Sequence, residues 1–403
     1  MKGIFKGCFV LFCCLLVGCN NGNEQAKGVP KKEKTPVTEA SANKPVNEPE
    51  IKEGTPEWDM LQIEKAVENN DSALFMSYQN ADNQIFYKEQ QRWIEEAKFK
   101  KEQGYKLSAK LSNFILQNDT TATVNFRVIM GHPKLETTNN LVNYQMIKVN
   151  DKWILNDVPF EKISSDDGTI TISYKKGQED PAQKTLKDAT DIVDFYSKMF
   201  NWKPGPIFIK IYPTNKEVSA TVPWIMLGGW NEMGESLKIT TDFTSQIFKY
   251  LAHELTHKMV GDMTNDNASI YIQEGFATYL QGTIERDGNG NILYDHRKSI
   301  EMAQKAMEIS NTVKTIEELG QIDYSDPEGS MYRDGSLLTT YLIETQGLNK
   351  FSDMLKHLAT YEYIDKRSEH KLDTVHLRTV EAIEKVYGPD EQVSTDLKNY
   401  YIK

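Results

Sequence analysis

Beyond residue 19 the chain contains no cysteine: its four, Cys8, Cys13, Cys14 and Cys19, all lie at the N-terminus. The folded part therefore has no disulfide and no thiolate metal site, and any metal it holds is bound by His, Asp or Glu. Histidine is also sparse, with seven in 403 residues. A surplus of positive charge is missing too. The formal net charge is −11, which excludes nucleic acid as a partner held by general electrostatic attraction and does the same for anionic lipid. What is present is a soluble globular composition, 39% hydrophobic and 26% charged. The length exceeds one ordinary core and implies two domains with accessory segments. Nothing in the sequence sets an oligomeric state.

Lys2 and Lys6 precede an apolar run from Cys8 to Val17, which is short for a bilayer span and has the length of a signal-peptide core. It ends in Leu16-Val17-Gly18-Cys19, which resembles the bacterial lipoprotein box. The resemblance implies that residues 1–19 are an export signal, that Cys19 is diacylated and becomes the first mature residue, and that the protein is lipid-anchored outside the cytoplasmic membrane. Residues 20–57 read as a disordered tether. They hold Pro30, Pro36, Pro45, Pro49 and Pro56 and no aromatic residue. Such a stretch buries too little apolar surface to offset its ordering entropy, and its prolines favour extended conformations.

Two folded bodies follow, an α+β arrangement throughout. The first spans residues 58–165. It opens with helical periodicity (Leu61, Ile63, Ala66, Val67, then Leu74, Phe75, Tyr78) and a second helix over about 83–103. Strands follow: Leu107, Ala109 and Leu111 alternate on one, Val124, Phe126, Val128 and Met130 on its partner, with turns at Asn118-Asp119 and Asn150-Asp151. Helices leading into a curved antiparallel sheet with a last hairpin around Trp153 resemble the NTF2-like fold. The residues assign no chemistry to this body; a docking pocket and a spacer are both open. The second body spans residues 168–403 and begins strand–helix–strand, over 169–174, 181–200 and 207–212. A further short strand, 237–240, leads into a motif helix, and nearly everything after it reads as helical.

That motif is Tyr250-Leu251-Ala252-His253-Glu254-Leu255-Thr256-His257. Thr241 or Asp242 could cap its helix, and Gly261 is expected just past the end. On a helix, His253 and His257 project from one side about 6 Å apart along the axis, so both imidazoles can reach one ion. Glu254, one position on, lies beside the ion and is placed to take a proton from the attacking water. Seventeen positions after His257 comes Glu274, in Gln273-Glu274-Gly275-Phe276-Ala277-Thr278-Tyr279, on a second helical run over 269–281. A carboxylate there is the third ligand that two histidines need for a zinc site with an open fourth position.

These two motifs together resemble the gluzincin metallopeptidases, most closely the peptidase MA-like group related to M1 aminopeptidases and thermolysin. The resemblance covers about 168–403 and implies a zincin-like domain, a small mixed sheet with an active-site helix and then a mostly helical lobe. It implies Zn2+ held by His253, His257 and Glu274, Glu254 as general base, and a peptide or protein substrate. Tyr332, near the start of the helix opened by Met331-Tyr332-Arg333-Asp334-Gly335-Ser336, occupies the family position of an oxyanion donor; the residues alone also allow a packing tyrosine. The Gly-x-Met-Glu-Asn segment of M1 aminopeptidases is absent, and Thr278 stands where thermolysin-like enzymes carry an Asp, so the support of the zinc-bound histidines must come from elsewhere. His296, His357, His370 and His376 have no partner at ligand spacing and read as surface residues. The rival expectation is a non-catalytic surface lipoprotein whose body binds a protein or peptide partner.

Overall fold

A computed structural model of the chain describes residues 51–402, apart from residues 134, 243–245, 325, 327–328 and 366–369. The export signal, the acylation candidate Cys19 and the tether through residue 50 lie outside the described residues. Among the described residues no helix is long and apolar enough to cross a membrane.

Three helices open the first body: α1 (Pro56–Glu68), α2 (Ser72–Met76) and α3 (Gln84–Glu102). Each begins at a side-chain cap, Thr55, Asp71 and Asn83, whose oxygen accepts a backbone N–H of the first turn. Four antiparallel strands follow in sequence order, β1 (Lys106–Asn118), β2 (Thr121–His132), β3 (Leu135–Val149) and β4 (Lys152–Asn156). On β2 the even-numbered residues from Ala122 to Met130 are buried and the odd ones half-buried, so one sheet face receives the helices. Trp93 of α3 fills the space between, stacked on Phe75 at 5.4 Å and edge-on to Phe126 at 5.2 Å. The β3–β4 hairpin turns through Asn150 and Asp151, both at positive φ, as the expected turn requires.

The second body is built on a mixed five-stranded sheet in the order β5-β6-β7-β9-β8. Its strands are β5 (Glu161–Ser164), β6 (Ile170–Tyr174), β7 (Ile207–Tyr212), β8 (Gly229–Trp230) and β9 (Leu237–Thr240). β6, β7 and β9 are parallel; the outer strands β5 and β8 are antiparallel to their neighbours. β5 lies within the stretch that the sequence pattern gives to the first body, yet it pairs with β6. Connecting these strands are α4 (Glu179–Phe200) and α5 (Asn215–Thr221). The helical remainder comprises α6 (Ile247–Thr264) and α7 (Ile270–Thr283), then after a small hairpin of β10 (Ile284–Arg286) and β11 (Ile292–Tyr294), α8 (Arg297–Ile309), α9 (Ile316–Gly320), α10 (Ser330–Gln346), α11 (Leu348–Leu358), α12 (Lys371–Tyr387) and α13 (Asp390–Tyr401). α6 runs through Gly261, the residue expected to end it, and stops at Asn265, which takes the left-handed conformation instead. Asp242 does not cap α6; its carboxylate accepts the Asn215 N–H, 2.9 Å away.

The two bodies share a core and a buried ionic seam. Tyr212, Val218 and Ala220 of the second body pack into the hydrophobic cluster of the first, and the Trp93 indole N–H donates to the Ala220 carbonyl at 2.9 Å. Lys210 on β7 bonds both Glu89 (2.7 Å) and Asp157 (2.6 Å). Arg92 bonds Glu235 at 2.9 Å, and Lys238, with no exposed surface, lies 3.6 Å from Glu89. Burial acts upward on the Glu89 carboxyl, but Lys210 and Lys238 outweigh it and hold it at about 2. Buried charges persist only when matched in this way, so the seam requires both bodies together.

Candidate metal centre

α6 and α7 pack against each other and bring the motif residues to one point. His253 Nε2 lies 3.1 Å from His257 Nε2 and 3.2 Å from Glu274 Oε2, and His257 Nε2 is 3.3 Å from the same oxygen. Among the described residues these three form the one group of His, Cys, Asp and Glu placed to hold a metal ion. A tetrahedral zinc with bonds of about 2.0–2.1 Å separates its ligand atoms by about 3.3 Å, and the observed triangle has that size. Two ring nitrogens and a carboxylate oxygen converging on one point are a donor set that a divalent cation satisfies. The residues present fit zinc.

The surroundings set the chemistry of the residues in the triad. Gln281, near the end of α7, sits with Oε1 3.2 Å from His253 Nδ1. An acceptor there places the ring proton on Nδ1 and leaves the Nε2 lone pair facing the ligand point. The hydroxyl of Tyr324 donates to Glu274 Oε1 at 3.0 Å, leaving Oε2 for the site. Burial acts upward on the Glu274 carboxyl, but the imidazoles of His257 and His253 overcome it and hold the group well below the usual carboxylate range. α6 is itself anchored from behind by the Tyr196 hydroxyl, which donates to the Ala252 carbonyl at 3.0 Å.

Glu254 is buried beside the triad and is not one of the converging three. Burial pushes its carboxyl up to about 8, opposed by His253 and assisted by Glu274. Its far side meets the outer strand β8: a Cβ at Gly229 would overlap the Glu254 carboxylate, so only glycine allows this approach. The Glu-Gly pair of the α7 motif has a similar origin. A Cβ on Gly275 would collide with the backbone of Gly335 on α10, so α7 and α10 cross at a glycine–glycine contact. That crossing carries Tyr332, at the start of α10, toward the site, with its ring centroid 6.4 Å from that of His253.

The structure thus brings together His253, His257, Glu274 and Glu254 and places Tyr332 against His253. Gln281 and Tyr324 were not found from the sequence. A signal existed for Gln281, since it lies seven residues, two helical turns, after Glu274 and therefore on the same face of α7. Tyr324 lies in an irregular segment, where no periodicity points to it. The remaining histidines stay apart from the site, but not all are surface residues. His376 is half-buried: it bonds the Tyr271 hydroxyl at 3.3 Å and fills the space above Gly320. His296 is exposed, as expected, and pairs with Glu344 at 2.9 Å.

No family model matches the chain, and no curated protein matches it. Among solved structures, a similar chain is an NTF-2-like protein of unknown function from Shewanella oneidensis MR-1. The likeness covers 25% of this chain and 94% of that one, at 17% identity and a TM-score of 0.20. At that TM-score it carries no assignment of fold; the mixed α+β character stands on the elements themselves.

Proposed function

We propose that the chain is a zinc metallopeptidase of the gluzincin type, lipid-anchored through Cys19 and acting on peptide or protein substrates outside the cytoplasmic membrane. The observation that carries this reading is the triangle of His253 Nε2, His257 Nε2 and Glu274 Oε2, with 3.1–3.3 Å sides, beside a buried carboxylate that does not join it. The mixed sheet leading into α6, followed by helices, supports a zincin-like second body; three helices before a four-stranded antiparallel sheet support an NTF2-like first body.

A zinc ion held by these ligands supplies a Lewis acid that acidifies water and polarises the scissile carbonyl. The chain's own residues do the rest. Gln281 and Tyr324 orient two of the ligands. Glu254, buried beside the triad, accepts the proton of the attacking water. It then returns that proton to the leaving amine nitrogen. The Tyr332 O–H donates a hydrogen bond to the oxygen of the tetrahedral intermediate. The Glu254→Gln protein is expected to keep its zinc and lose peptide hydrolysis by roughly a hundredfold or more, read from cleavage of a peptide library. Full activity in that variant removes Glu254 as the base. Zinc without hydrolysis in the wild-type chain, across the library, favours instead a binding lipoprotein.

A further inference from the structure

We infer that the first body holds the cleft wall that presses on Glu254, and that Asn140 of β3 is the positioning residue that fastens it. The catalytic consequence rests on the metallopeptidase reading; the fastening itself does not. The wall is the segment 222–230, which follows α5 and includes β8. Its Gly229 lies against the Glu254 carboxylate, and its Gly228 lies against the ring of Tyr250 on α6. Its own body ties it at a few points: the Trp224 and Leu227 N–H groups donate to the Ser219 carbonyl (3.2 Å) and hydroxyl (2.9 Å), and the Gly228 carbonyl accepts from the Thr240 N–H (3.0 Å). β8 itself has two residues and is an outer strand, joined to its neighbour β9.

The first body adds contacts along the rest of the segment. Asn140 is buried, and its side-chain N–H groups donate to the carbonyls of Trp224 (3.1 Å) and Ile225 (3.4 Å). Lys100 of α3 stands over the Trp224 ring, 3.5 Å from its centroid, and the Arg92 guanidinium lies 4.9 Å from that of Trp230. The side chains of Ile225 and Leu227 pack against the first body's hydrophobic cluster.

The placement of Asn140 makes the point chemically. It is in register with Val128 on β2 and shares the buried face of β3 with Val142, Tyr144 and Met146. An apolar residue is what this stripe calls for. A buried amide at this position is accounted for by the two carbonyls it bonds, and both belong to the other body. The first body is therefore a structural part of the catalytic cleft, neither a spacer nor a separate docking module.

The test uses the full chain with Asn140→Val, which suits the sheet, and Asn140→Ala. Amide hydrogen exchange of residues 224–230 is expected to speed up roughly tenfold, with exchange in α1 and β2 unchanged. Zinc content should stay at the wild-type level, and kcat on a cleaved peptide should fall several-fold with KM within about twofold. Unchanged exchange over 224–230 in whichever of the two variants folds overturns the inference. Faster exchange there with kcat intact overturns its catalytic half. A wild-type chain that holds no zinc and cleaves nothing removes the metallopeptidase reading, while the exchange measurement still decides the fastening.

Discussion

At the scale of single residues, the candidate metal-binding triad was legible because helical spacing is a strict geometric rule. Four positions separate His253 from His257, and on a helix that spacing turns both imidazoles to one side. The supporting residues were less visible because their partners come from elsewhere in the chain. Gln281 acts through His253, twenty-eight residues earlier. Replacing it with Leu removes the acceptor that fixes the ring proton, and zinc affinity is expected to fall about 10- to 100-fold. Competition with a chromogenic chelator measures this, and wild-type affinity in Gln281→Leu would show that the contact does not tune the site. In the sequence Leu227-Gly228-Gly229-Trp230 allows both a turn and a cleft border where a substrate backbone approaches; neither reading points to the Glu254 carboxylate, which Gly229 meets in the structure. Gly229→Ala should leave zinc in place and lower kcat at least tenfold by displacing Glu254; hydrolysis at the wild-type rate contradicts the contact.

At the scale of elements, the longer helices and strands followed their periodicity. The first helix pair, the alternating strands β1 and β2, and α4 with its buried Ala189, Ile192, Val193, Tyr196 and Phe200 all lie where the pattern put them. The short pieces escaped. β5 has four residues, of which three are exposed and one half-buried, so no alternation marks it, and its pairing with β6 could not be read. β8 has two residues and α5 seven, below the length at which periodicity speaks. The end of α6 was misplaced because glycine marks a helix end only when it adopts a left-handed φ. Gly261 has helical geometry, and Asn265 makes the turn. The crossing of α7 and α10 at Gly275 and Gly335 joins the element that carries Glu274 to the one that carries Tyr332. Gly335→Ala forces these helices apart, at a cost of roughly 1–3 kcal/mol, and a urea midpoint unchanged from wild type would contradict the close approach.

At the scale of the whole molecule, two bodies that the sequence divides cleanly are joined by contacts between residues far apart in the chain. Glu89 meets Lys210 across more than a hundred residues, and no local pattern announces such a pair. The seam also sets a pH dependence. Glu89 is held at about 2 in the folded chain, below the ordinary glutamate range near 4.5. Its contribution is therefore fully present above about pH 4.5 and is lost as the pH falls through about 2. Glu89→Gln leaves Lys210 and Lys238 short of a partner and should destabilise the neutral-pH protein by about 3–5 kcal/mol. The gap in thermal midpoint between wild type and Glu89→Gln should narrow as the pH is lowered from about 4.5 toward 2. A gap that is constant over that range contradicts the assignment of the seam's charge.

The measurement that bears most directly on the central claim is the metal content of the full chain, with the Glu274→Ala variant beside it. The arrangement of His253, His257 and Glu274 predicts about one zinc per wild-type chain and near-complete loss in the variant. No bound zinc in either protein, after reconstitution with excess zinc, would contradict the metal centre and with it the proposed peptidase.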